Sequence, residues 1–158
     1  REFESMNDEL TQEEYEYAKR LMKIGMILRD FYLGNPCIFY GTEVGLSGWK
    51  DPFNRKCFPW GKEDQELLQY QRDIGAFRNC YKSQNSNPKV IYKDSEVFIF
   101  KRENKYNSLL VAVNRGNQIR KIELPEEFKK KDYLKFTLND STEKQLLPYG
   151  GIVIIHKK

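Results

Sequence analysis

The 158-residue chain is poor in the residues that build metal centres and disulfide frameworks. It has one histidine, His156, and three cysteines, Cys37, Cys57 and Cys80, with no CxxC pair. An odd, widely spaced set of thiols argues against a zinc site and for a reducing compartment, so a cytoplasmic location is expected, with neither metal nor cofactor. The chain also lacks a run of about 18 apolar residues, and no signal peptide is visible, so no membrane association is expected. Charge of one sign is not concentrated either, although the formal net charge is +4. The densest basic run, Lys129, Lys130 and Lys131, is flanked by Glu126, Glu127 and Asp132. It reads as a solvated turn, not as the basic stripe that nucleic acid requires.

What remains is ordinary globular material, 39% hydrophobic and 14% aromatic, enough for one core or two small ones. The chain opens at Arg1 without a methionine and is expected to be a piece of something longer.

The first element announces itself in "TQEE" at residues 11–14. Here the Thr11 hydroxyl can accept an early helical N–H while Glu14 reaches back, a capping box. Tyr17, Leu21, Ile24, Leu28 and Phe31 then recur on one helical face, and Ala18, Met22, Gly25 and Met26 widen it. The spacing predicts a helix over 13–33, buried on more than one side and ended by Gly34, Asn35 and Pro36. "CIFY" at 37–40 is a continuous apolar run that reads as a parallel strand buried on both faces. The loop over 42–62 has no periodicity and exceeds most ordered connections, a length that favours function. A second helix is predicted over 63–81, with Leu67, Tyr70, Ile74, Phe77 and Tyr81 on one face and Asp64 and Glu66 at its positive end.

"SQNSNP" at 83–88 is a polar break, the best domain boundary in the chain. Beyond it, short β-rich runs recur every eight to twelve residues: "VIY", "VFIFKR", "SLLVAVN", "IRKIEL", "YLKFTL" and "GIVIIH". That cadence predicts an antiparallel sandwich or barrel. Two units are therefore expected, 1–84 and 88–158. One buried strand between two helices is the rhythm of a parallel α/β fold lacking most of its strands.

The stretch "GNPCIFYGTEVGLSG" followed by "DPFNRKCFPW" resembles the eighth strand and following loop of the α-amylase superfamily, glycoside hydrolase family 13. It is most similar there to the cyclomaltodextrinase, neopullulanase and maltogenic amylase group. Tyr40, Gly41 and Glu43 match the usual pattern, whereas Phe39 and Thr42 depart from it. The colinear order of helix, strand, loop, helix and β module extends the resemblance along the whole chain. It implies an α+β fragment: the last helix, strand and helix of a (β/α)8 barrel, followed by an antiparallel β-sandwich.

The resemblance also implies a retaining hydrolase of α-glucosidic bonds acting on maltodextrin-like oligosaccharides. The family's catalytic carboxylates would lie upstream of Arg1. Retention needs two carboxylates about 5 Å apart, and no such pair stands beside a suitable strand here. No catalytic residue is therefore expected in these residues, and the chain alone is expected to be inactive.

Asp51 and Arg55 correspond to family residues that bind glucose units, and a carboxylate beside a guanidinium offers paired acceptors and donors to adjacent hydroxyls. The bland alternative is an ion pair bracing the loop. Trp49, near the loop tip, is open between stacking on a sugar and packing. Glu43 is expected to accept loop N–H groups or to orient a sugar-contacting residue. Tyr40 is expected in the barrel core with its hydroxyl satisfied. Trp60 is expected to pack, and the strand aromatics Phe98, Phe100, Tyr133 and Phe136 are expected in the core. The bare faces of the first helix and the strand would drive self-association. A rival reading is a stand-alone, non-enzymatic carbohydrate-binding or interaction module.

Overall fold

A computed structural model of the chain describes residues 10–48, 51, 53–81, 86–129 and 133–158. Its first helix, α1 (Gln12–Phe31), starts on the capping box read from the sequence. The Glu14 N–H donates to the Thr11 hydroxyl, and the Thr11 N–H donates to Glu14 Oε2 at 2.9 Å. The second, α2 (Gln65–Arg78), is capped by Asp64, whose Oδ1 accepts the Leu67 N–H at 2.9 Å. The two helices pack side by side.

Seven strands follow: β1 (Lys89–Lys93), β2 (Val97–Glu103), β3 (Asn107–Asn114), β4 (Arg120–Lys121), β5 (Leu134–Leu138), β6 (Gln145–Leu146) and β7 (Gly151–Lys157). Five of them form one antiparallel sheet in the order β1-β2-β3-β7-β5, and β4 pairs with β6 in a short ribbon. A side-chain period of two sorts each central strand between two cores. Leu109, Val111 and Val113 of β3, Val153 and Ile155 of β7 and Phe100 of β2 join Ile24, Ile27, Phe31 and Ile74 of the helices. Leu110, Ala112, Ile152 and Ile154 point the other way, to Leu124, Phe128 and Leu146 beneath the ribbon.

Register makes this sorting coherent. Leu109 stands opposite Ile155 and Val111 opposite Val153 on the helix side, while Leu110 faces Ile154 on the other. All eight residues of β3 are buried because both faces of its strand are covered. Gly151 is where α1 comes closest to β7: a side chain there would meet Ile27 and Val113 at 3.1 Å. One core thus spans both sides of the boundary expected at 83–88.

Buried Arg102 of β2 ties the sheet to the helix. Its Nη1 donates to the Phe31 carbonyl at 3.1 Å, its Nε to the Ser86 carbonyl at 2.9 Å, and its guanidinium lies 5.7 Å from the Tyr81 ring centre. A cation at the C-terminal end of α1 is also favoured by the helix dipole.

Three expectations change. Residues 37–40 form no strand, and Ile38, Phe39 and Tyr40 are 43%, 58% and 42% exposed. A strand needs a neighbour for its N–H and C=O groups, and among the described residues none runs beside it. Ala18, Met22 and Gly25 are exposed, so α1 is buried on one side only, against the sheet and α2, with Met26 the one member of the widened face that is covered. Trp60 does not pack into the core: it is 81% exposed. The strand aromatics lie as expected, Phe100 fully buried and Phe98, Phe136 and Tyr133 packed against the two cores.

Candidate functional site

The loop between α1 and α2 begins with a single turn of 3-10 helix, Thr42–Val44, bracketed by Gly41 and Gly45 at φ of 84° and 75°. Positive φ is what reverses the chain here, and glycine adopts it without a Cβ clash. At Gly45 the Tyr15 hydroxyl occupies the space a side chain would need. Val44 is buried, and its carbonyl accepts the Asp64 N–H at 3.1 Å, which closes the loop's base.

Asp64 is the hub of that base. Its Oδ2 accepts the Tyr15 hydroxyl at 2.7 Å and the Lys19 ammonium at 2.8 Å, while Oδ1 caps α2. Lys19, with only 8% of its side chain exposed, also reaches Glu66 at 2.5 Å, and Lys23 pairs with Glu66 as well. Burial alone would raise the Asp64 pKa, but Lys19, the Leu67 N–H and the Tyr15 hydroxyl outweigh it and hold the carboxyl down at about 2. Burial and the Asp64 carboxylate push the Tyr15 phenol up to about 12. Burial pulls Lys19 down, yet its two carboxylates win and raise it above an ordinary lysine. The sequence marked Asp64 only as helix-favouring. Lys19 carried no signal, because a lysine in a helix is buried only by its tertiary partners.

On the loop itself Asp51 and Arg55 come together. Arg55 Nε donates to Asp51 Oδ1 at 3.0 Å and Nη2 to Oδ2 at 3.3 Å. The pair is open to solvent, the side chains 69% and 62% exposed, so as a brace it contributes little stability. The same loop carries two aromatic pairs, Phe39 with Tyr40 at 4.9 Å and Phe58 with Trp60 at 4.5 Å between ring centres. Tyr40 is half exposed rather than in a core, but its hydroxyl is satisfied, donating to the Lys56 carbonyl at 2.8 Å and so pinning the two arms of the loop. Trp49 lies outside the described residues.

Glu43 departs from expectation. Its Oε2 is buried and, like Asn54 Oδ1, meets no donor among the described residues. The loop N–H groups expected to reach it are used elsewhere: those of Val44 and Leu46 go to the Gly41 carbonyl. A buried carboxylate oxygen without a donor is costly. The loop offers an exposed acceptor–donor pair and exposed aromatic rings, groups that can bind a polyhydroxylated molecule. Among the described residues no helix is long and apolar enough to cross a membrane.

Comparison with known proteins follows the same outline. Residues 87–147 match the alpha-amylase C-terminal domain family. An amylopullulanase of Thermoanaerobacterium saccharolyticum is 29% identical over 151 residues, which is 88% of this chain and 12% of that protein. An intracellular maltogenic amylase of Bacillus subtilis is 36% identical over 99 residues, 59% of this chain and 17% of the relative. In structure, the cyclic alpha-maltosyl-(1→6)-maltose hydrolase of Arthrobacter globiformis superimposes with a TM-score of 0.70 at 22% identity, covering 87% of this chain and 30% of that one. The chain therefore spans well under a third of the curated relatives it matches. Residues 87–147 thus resemble an alpha-amylase C-terminal domain, and the chain as a whole is similar to part of the α-amylase superfamily, glycoside hydrolase family 13.

Proposed function

We propose that these residues are the C-terminal portion of a retaining hydrolase of α-glucosidic bonds in maltodextrin-like oligosaccharides, and that Asp51 and Arg55 hold glucose units on the loop after its last barrel strand. The observation that carries this reading is the exposed Asp51–Arg55 pair, too solvated to add much as a brace, on a loop that also carries exposed aromatic rings. Two charged groups in one plane can accept from one sugar hydroxyl and donate to its neighbour. Trp49 belongs to the same surface in this reading, and Tyr40 and Glu43 shape the loop beneath it.

In the same reading, α1, residues 37–40 and α2 are the closing helix, strand and helix of a (β/α)8 barrel. Leu33 and Phe39 are more than half exposed and Ile38 is 43% exposed, which suits a segment whose neighbours lie in a preceding part of the parent. The unpartnered Glu43 oxygen suits it too. The nucleophile and acid/base would belong to that preceding part, so this chain by itself is inactive. Exposed, unpaired Cys37, Cys57 and Cys80 support a reducing, cytoplasmic setting.

In the parent enzyme, Asp51→Ala or Arg55→Ala is expected to lower kcat/KM on maltotriose by about 10- to 100-fold, the loss of one or two charged hydrogen bonds. Unchanged kinetics would return the pair to a loop brace. A genuine upstream reading frame without an Asn-His-Asp sequence would remove the glycosidase parent altogether. The isolated chain should also self-associate through its bare apolar segment at 33–40. Light scattering that shows only monomer at high concentration would contradict this.

A further inference from the structure

The corner where α1 meets the turns of the sheet holds a cavity of about 520 Å³, whose lining does not include Asp51 or Arg55. Its floor is Tyr149, a bulky residue at φ 51° in the left-handed region that L side chains avoid. The turn that imposes this conformation is fastened from several sides. Asn139 Nδ2 donates to the Pro148 and Tyr149 carbonyls at 3.1 Å each, and the Tyr149 N–H donates to the Gly116 carbonyl at 3.0 Å. Asn139 is itself at φ 51°. Strain of this kind persists only where the surroundings over-determine it, and it concentrates at binding sites. Gly150, next in the chain, could have taken the position without strain. What a glycine would not supply is the ring.

The half-buried ring packs against the helix-side core and also borders the cavity. The Arg20 guanidinium lies 5.5 Å from the ring centre, and half-exposed Tyr17 meets the ring edge-on at 5.9 Å. Arg20 is exposed, and among the described residues no carboxylate pairs with it, whereas Lys19 and Lys23 are neutralised by Asp64 and Glu66. Asn117 and Asn139 add exposed carboxamides to the rim.

We infer that this corner binds a short α-glucan segment apart from the loop, with sugar C–H faces on Tyr149 and Tyr17 and hydroxyls on Arg20 and Asn117. The chemistry favours a neutral polyhydroxyl ligand over an anion. Among the described residues of the lining only one cation, Arg20, is free, and the unpaired Glu16 in the same wall offsets its charge toward a phosphate. A volume of this size suits an oligosaccharide of a few rings. The choice of glucan among sugars rests on the function proposed above; the site itself does not.

The test is titration of maltoheptaose into the millimolar range against the full 158-residue chain, followed by amide NMR shifts, in the wild type and three variants. Arg20→Gln lies on an exposed helix face and should leave the melting temperature unchanged. Tyr149→Asn removes the ring while keeping a residue that tolerates positive φ. Asp51→Ala disables the loop pair. The expected result is saturable shifts at Asn117, Asn139 and Tyr149 that persist in Asp51→Ala, weaken about tenfold in Arg20→Gln and vanish in Tyr149→Asn. Shifts confined to residues 51–60 would overturn the corner and leave the loop reading standing. Corner shifts without loop shifts would do the reverse. Corner shifts that survive both Arg20→Gln and Tyr149→Asn, or no shifts at all, also overturn the inference.

Discussion

Replacing Asp64 with alanine should destabilise the chain by about 4 kcal/mol, read as a lower midpoint in urea at constant slope. Three losses coincide in this one side chain. The Lys19 ammonium, almost wholly covered, keeps only Glu66, itself 63% exposed. The Leu67 N–H loses its cap and the Tyr15 hydroxyl its acceptor. Asp64→Asn retains a carbonyl oxygen for the cap but not the charge, and is expected to recover about 1 kcal/mol of the loss. Equal midpoints for the two variants would show that the cap contributes nothing.

The same carboxylate sets an acid limit. Its pKa is lowered from 3.8 to about 2 by folding, so on acidification the unfolded chain takes up this proton first. The stabilisation it provides is complete above pH 3.8 and is lost as pH falls through about 2. The stability gap between the wild type and Asp64→Asn should narrow across that window. A gap independent of pH would mean that Lys19 does not interact with the charge.

Arg102→Ala is expected to cost about 3 kcal/mol, and by a different route. The guanidinium makes two charge-assisted hydrogen bonds to the Phe31 and Ser86 carbonyls, in a place with 5% exposure. Its removal leaves both acceptors buried and a hole beside Tyr81. Arg102→Lys can reach one carbonyl but not both, since an ammonium lacks the planar fork, and should keep about half the stability. Because Arg102 joins β2 to the end of α1, hydrogen exchange in the last turn of α1 should accelerate in Arg102→Ala before the sheet amides respond. Protection lost evenly across the sheet and helix would instead make the residue part of one indivisible core.

Much of the secondary structure was legible beforehand because it rests on short-range rules. The capping box at Thr11 and Glu14, the four- and three-residue spacing of Ile24, Leu28 and Phe31, and the short β-rich runs between turn residues beyond 88 each encode geometry in neighbouring residues. The segment at 37–40 shows where such reading stops. Four apolar residues in a row satisfy the pattern of a buried strand, yet a strand is a pairing and not a property of one segment. Trp60 stops it in the same way: its chemistry suggests a core position, and only the neighbours around it decide whether one exists. In the loop, Asp51 and Arg55 were singled out by the family resemblance, and the fold brings them into one ion pair. The buried oxygen of Glu43 was invisible, since the absence of a donor is a fact about everything around it.

By itself, then, the sequence determined two amphipathic helices, a long aperiodic loop between them, and a set of short antiparallel strands behind a polar break. All of these follow from residue type and local period. Only the tertiary structure decided that both helices share one core with the sheet, that Lys19 and Arg102 are buried cations holding those parts together, and that Tyr149 stands in a strained turn over a cavity. The physical reason is the same in each case. Burial, charge neutralisation and close packing belong to pairs of groups far apart in the chain, so they come into being only when the fold brings those groups together.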